Sequence, residues 1–133
     1  MEPKIVQPPS GSMPAGPWSR GVQAGSLLFV SSQVGEDAHG VIADATDFRA
    51  QAARALENVA HVVRAAGGTK ADIVKITAFL TDVRNFPAYN DARRAFFGDR
   101  FPASTSVVVK ELARPEYLLE IEAVAVLRGH APD

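Results

Sequence analysis

The stretch from Asp44 to Thr81 constrains the fold of this chain more than any other. Phe48, Ala52, Leu56, Val59, Val63 and Ala66 step by four, four, three, four and three residues, which sets them on one stripe of a helix. Arg54, Glu57, His61 and Arg64 take the opposite face. Asp44 to Asp47 offers capping residues at the start. Gly67-Gly68 ends the helix, since glycine accepts the left-handed C-cap conformation without a Cβ clash. Ile73-Val74-Lys75-Ile76-Thr77-Ala78-Phe79-Leu80-Thr81 is β-branched and aromatic and reads as a strand. A helix with one apolar stripe that feeds such a strand calls for a helix-on-sheet, α+β layout.

The flanking segments fill in the rest. Residues 7–17 are rich in Pro, Gly and Ser and read as a loop packed over the domain, so that residues 1–17 are largely irregular. Ser19 to Ala24 and Leu27 to Ser31 form a hairpin turning at Ala24-Gly25-Ser26. Gly35 to Gly40 is polar and turn-like, and a second helix covers Phe86 to Gly98 with Tyr89, Ala92 and Phe96 inward. Ser104 to Lys110 and Tyr117 to Leu127 read as a closing hairpin around Ala113-Arg114-Pro115-Glu116. The order is ββαβαββ in a single domain over residues 1–133, and the first helix is expected to join parallel strands by a right-handed crossover. In the last strand Leu118, Glu120, Glu122, Val124 and Val126 share one face, and Tyr117, Leu119, Ile121, Ala123, Ala125 and Leu127 the other. Both faces are largely apolar, which a sheet backed by helices on one side does not require. A second copy of the chain is the simplest cover for the free face, with the glutamates at or near that interface.

Composition excludes several classes. At 133 residues the chain is long enough for one core. Its 14 basic and 15 acidic side chains leave a net charge of -1, without the clustered positive field that nucleic acid or an anionic membrane demands. Arg93-Arg94 is the only basic pair, and on a helix it reads as a solvated face. Having no cysteine, the chain has no disulfide or thiolate chemistry. His39, His61 and His130 are scattered without a ligand spacing, so a metal site is not expected. No apolar run of about 18 residues and no signal-peptide pattern occurs, which makes a cytoplasmic protein the default.

Phe101-Pro102-Ala103-Ser104-Thr105-Ser106-Val107-Val108-Val109 and Leu118-Leu119-Glu120-Ile121-Glu122-Ala123-Val124-Ala125-Val126 resemble the signature of the RidA/YjgF family. The likeness extends to residues 52–68 and 72–82, to Phe86-Pro87-Ala88-Tyr89-Asn90, to Phe96-Phe97, and to Phe29-Val30-Ser31-Ser32-Gln33-Val34-Gly35. It implies a chorismate-mutase-like homotrimer with small-molecule clefts between subunits. It also implies hydrolytic deamination of enamines and imines without metal or organic cofactor. Where deaminating members carry an arginine after Phe-Pro-Ala, this chain has Ser104, and Ser32 stands for a usual glycine.

Within that resemblance Glu120 matches the water-positioning glutamate; on residue type alone the favoured reading is a salt-bridged strand carboxylate. Ser104 takes the place of a guanidinium that grips a carboxylate with two charge-assisted bonds, and it supplies one neutral bond instead. Arg20 and Arg114 are candidate replacements, against plain roles on a strand edge and in a solvated turn. Trp18 stands where many members have tyrosine, and either suits a flatter ligand or anchors the N-terminal loop. Asn90 matches a cleft-lining position or is a helix-surface amide. Ser32 and Thr105 offer hydroxyls to the cleft or serve a turn and a strand edge.

The resulting reading is a hydrolase for small enamines or imines with specificity altered from 2-imino acids, for instance toward aminomuconate-type substrates. The alternative is a trimeric binding module without catalysis. Glu120 favours the first and Ser104 the second. The absent basic stripe and scattered histidines argue against a ribonuclease.

Overall fold

A computed structural model describes residues 2–9 and 12–129. The strands are β1 (Lys4–Val6), β2 (Gly21–Ala24), β3 (Leu27–Gln33), β4 (Ile73–Leu80), β5 (Ala103–Val108) and β6 (Leu119–Val126). They form a 6-stranded sheet in the order β1-β2-β3-β6-β4-β5, backed by helices α1 (Phe48–Ala65) and α2 (Phe86–Phe97). The result is the expected mixed α+β domain with both helices in place.

α1 starts where Asp47 accepts a hydrogen bond from the Ala50 amide at 3.0 Å, and it ends where Gly67 takes a φ of 88°. Phe48, Ala52, Leu56, Val59 and Val63 are buried, as the stripe requires, and Gln51, Ala55, Ala60 and Val62 join them. The stripe is wide because α1 packs on β3, β6 and α2 together. Leu28, Val30, Ile76, Ala78, Leu80, Leu119, Ile121 and Ala125 face it from the sheet. On α2, Tyr89 is fully buried, with Ala92 and Phe96 packed against the same core.

The expected closing hairpin does not form. β5 pairs in parallel with β4, in the register Ile76 with Ser104 and Phe79 with Val107. β6 is inserted between β3 and β4 and runs antiparallel to both. The reason is legible in retrospect: the connection over 109–118 is long for a hairpin loop, whereas β4, α2 and β5 make a compact βαβ unit. β3 and β4 are parallel, as expected, but with β6 lying between them. A second difference is β1, an edge strand inside the segment read as irregular, pairing Ile5 with Val22.

Only one face of the sheet is covered by helices. On the other, Leu27 and Phe29 of β3 and Val107 of β5 are exposed at 40%, 48% and 40%. Half-buried Thr77, Phe79 and Val124 lie among them. This is the two-sided apolar pattern of the last strand, extended across its neighbours.

Candidate functional site

The hydroxyl of Ser32 reaches Glu120 because β3 is bulged. Between the pairs Val30–Ala123 and Gln33–Ile121, β3 spends Ser31 and Ser32 where β6 spends Glu122 alone. An extra residue reverses the alternation of side chains. Gln33 therefore turns inward beside Val30 and Leu28, and Ser32 is left on the side of Glu120. The bulge leads into Gly35, where an added Cβ would lie 2.6 Å from the Gln51 Cα, so the loop can pass this close to α1 only with glycine. Buried Gln51 in turn holds the entry to β6: its Nε2 donates to the Glu116 carbonyl at 2.9 Å, and its Oε1 accepts from the Leu118 amide at 3.0 Å.

Glu120 lies in a cavity of about 740 Å³, together with Trp18, Arg20, Ser31, Ser32, Val34, Glu36, His39, Arg114 and Tyr117. Burial pushes its carboxyl above the ordinary value; the Ser32 hydroxyl opposes that shift and the Glu122 charge adds to it. Trp18 is a half-exposed wall of this cavity. Arg20 is only 7% exposed, and its fork is engaged on all sides. It donates to Glu36 at 2.7 Å, to Gln33 Oε1 at 3.2 Å and to the Ser12 carbonyl at 3.0 Å. Arg114 is exposed and faces Glu116 at 3.6 Å.

Asn90 and Ser104 belong to a different place. Ser104 pairs with core residue Ile76 and thus points to the helix face of the sheet, whereas Glu120 projects from the free face. Asn90 and Ser104 line a cavity of about 220 Å³ with Ile76, Arg93, Arg94, Phe97, Phe101 and Pro102. Thr105 alternates to the free face, where its Oγ1 accepts from Lys75 Nζ at 2.7 Å, and it lines neither cavity. One chain therefore brings Trp18, Arg20, Ser32, Arg114 and Glu120 together, and separates Asn90, Ser104 and Thr105 from them.

Arg93 was read as a solvated residue, and the structure places it otherwise. Its Nη1 donates to Ser104 Oγ at 2.6 Å, its Nη2 donates to Asn90 Oδ1, and its guanidinium lies 4.6 Å above the Tyr89 ring centroid. The available signal was the spacing of Asn90 and Arg93, three apart on one helix and hence on one face. Tyr117, Glu36 and His39 were also missed, because they join Glu120 only through loop packing. Among the described residues no group of three or more His, Cys, Asp or Glu could hold a metal ion, and no helix is long and apolar enough to cross a membrane. His130 lies outside the described residues.

Comparison with known proteins agrees with this architecture. The family described as Endoribonuclease L-PSP matches residues 10–127. A 2-iminobutanoate/2-iminopropanoate deaminase of Dermatophagoides farinae is 35% identical over 96% of this chain and 99% of its own length. A deaminase of the same name from Salmonella typhimurium is 41% identical, covering 85% and 89%. Among solved structures, TdcF of E. coli with bound serine superposes with a TM-score of 0.86 at 36% identity, over 92% of this chain and 98% of that one. The E. coli YjgF gene product superposes at 0.87 with 35% identity, over 94% and 99%. A match across nearly the whole chain, with the same sheet and helices, makes this protein a member of the Endoribonuclease L-PSP family, the RidA/YjgF family.

Proposed function

We propose that this protein is a homotrimeric hydrolase that deaminates small enamine or imine compounds, with Glu120 as the group that handles water and proton. The carrying observation is the state of that carboxyl: half-buried, raised by desolvation and open to a large cavity. Hydrolysis of an imine adds water to the C=N carbon, protonates nitrogen and expels ammonia, leaving a carbonyl. Glu120 orients the water, takes one proton as the C–O bond forms and returns it to nitrogen. It then relays the remaining hydroxyl proton of the tetrahedral intermediate to nitrogen as the C–N bond breaks and the carbonyl forms, so that the carboxylate ends as it began. A carboxyl kept above its ordinary value by burial exchanges that proton more readily near neutrality.

Two observations support assembly of copies, and the family resemblance makes that assembly a trimer. The exposed apolar face with Leu27, Phe29 and Val107 needs a cover that one chain does not supply. Glu120 and Ser104 sit on opposite faces of the sheet, so a cleft using both must combine two copies. The relatives named as 2-iminobutanoate/2-iminopropanoate deaminases give the substrate class. Within it, Ser104 and Trp18 shift specificity away from the smallest 2-imino acids toward larger or flatter ones.

Ammonia release from 2-iminopropanoate generated in situ, and then from a muconate-type amine, tests the reading. Release by the wild type and its loss in Glu120→Ala is the expected result. Release that Glu120→Ala leaves unchanged overturns the mechanism. Silence on both substrates, with a small acid still bound in the cleft, leaves a binding module.

A further inference from the structure

Arg93 and Arg94 are neighbours in sequence and both border the cavity beside Ser104, but their partners differ. Arg94 is exposed and faces Asp91 at 3.7 Å, a carboxylate that also pairs with Arg49 at 3.1 Å. Arg93 is half-buried and bonded to neutral oxygens, Ser104 Oγ and Asn90 Oδ1. Among the described residues no carboxylate forms an ion pair with it. The Tyr89 ring beneath fixes the plane of the guanidinium, and Phe97, Phe101, Pro102 and Ile76 wall the cavity it enters. A cation oriented by neutral acceptors against an apolar wall keeps part of its fork for an anion, and a planar fork matches a carboxylate.

We propose that Arg93, positioned by Asn90 and Ser104, is the residue that binds the carboxylate of this protein's substrate. The inference rests on the hydrolase reading for the word substrate, but the site itself is defined by geometry alone. Neither arginine considered from the sequence fits the role as well. Arg20 is saturated by Glu36, Gln33 and Ser12, and exposed Arg114 faces Glu116. The hydroxyl at position 104 thus has a use: it is short enough to leave the cavity to a guanidinium arriving from α2, and it holds that guanidinium by its Nη1. The ligand class is a small carboxylic acid with an apolar or flat body, since the charge is met by Arg93 and the cavity offers Ile76, Phe97, Phe101 and Pro102 to the rest of the molecule.

The test is calorimetric titration of the purified protein with 2-oxobutanoate, a stable acid, and with 2-oxobutanamide, its uncharged counterpart. Wild type is expected to bind the acid, and Arg93→Ala to weaken it about 10- to 100-fold. Arg93→Lys should recover part of the loss, Arg64→Ala, an exposed arginine paired with Glu57 away from this cavity, should match wild type, and the amide should not distinguish Arg93→Ala from wild type. Equal binding of the acid by wild type and Arg93→Ala overturns the proposal, as does a wild type that binds acid no better than amide. The two readings fail separately. Arg93-dependent binding without ammonia release removes the hydrolase and keeps this site; Glu120-dependent release with an unchanged KM in Arg93→Ala removes this site and keeps the hydrolase.

Discussion

Arg20 and Arg93 are both drawn inward from the surface, and the difference between their surroundings separates structure from function. Arg20 sits at one end of the Glu120 cavity with a carboxylate at 2.7 Å, an amide oxygen and a backbone carbonyl closing around it. Ser12 also donates to the same Glu36 oxygen at 2.8 Å, so the cluster ties the N-terminal loop to the bulge and the turn after β3. Arg93 makes two hydrogen bonds, both to neutral oxygens, has no carboxylate paired with it among the described residues, and opens on a cavity. A buried cation that is fully neutralised holds the fold, because removing its partner leaves a charge in low dielectric. A cation with neutral partners has affinity left for something else.

Changes made in the two regions should part accordingly, beginning with the largest effect. Glu120→Ala, beside the Arg20 cluster, is expected to lower kcat about 100- to 10,000-fold with little change in the urea midpoint, the range for a lost proton-transfer group. Glu36→Ala is expected to destabilise the fold by about 3 kcal/mol in urea denaturation, since it strands the Arg20 charge. If it costs nothing, the contrast between the two arginines collapses. If the proposed trimer forms through this face, Phe29→Asp should shift the sedimenting species from trimer to monomer, because burying that ring contributes about 2 kcal/mol per copy and the substitution adds like charge to Glu122's side. Trimers that persist would remove the apolar face as the interface.

Smaller effects sharpen the same division. The raised Glu120 carboxyl means that the folded state binds a proton more tightly than the unfolded chain. Its contribution is therefore fully present below the unfolded pKa and is lost as pH rises through the folded one. Glu120→Gln should flatten that decline, and stability measured at neutral pH should equal or exceed wild type. Arg93→Ala should cost less than about 1 kcal/mol of stability, as bonds to neutral, solvent-reached partners do. A large loss would make Arg93 a second Arg20.

How far the site could be read in advance differs residue by residue. Glu120 was legible from the strand pattern and its motif, and the structure sets it in a cavity with Trp18, Ser32 and Arg114. Ser104 was also legible as a departure, but its face of the sheet was not. That face depends on β5 pairing with β4, and the sequence signal for a hairpin with β6 concealed it. Arg93 was set aside because a charge pair on a helix has no direction until the helix is docked. Its inward turn follows from Tyr89 being buried and from β5 bringing Ser104 within reach.

Local periodicity and end signals, read along the chain, determined α1 with its Asp47 cap and Gly67 stop, the strand after it, α2, and the two apolar faces of β6. Each rests on neighbours within a few residues, and such preferences survive in any tertiary setting that accepts them. The strand order, the bulge at Ser31-Ser32, the Gln51 clamp and the placement of Arg93 were decided by the tertiary structure. They join residues far apart in the chain, and which partner wins depends on how whole elements pack, a competition that no local pattern records.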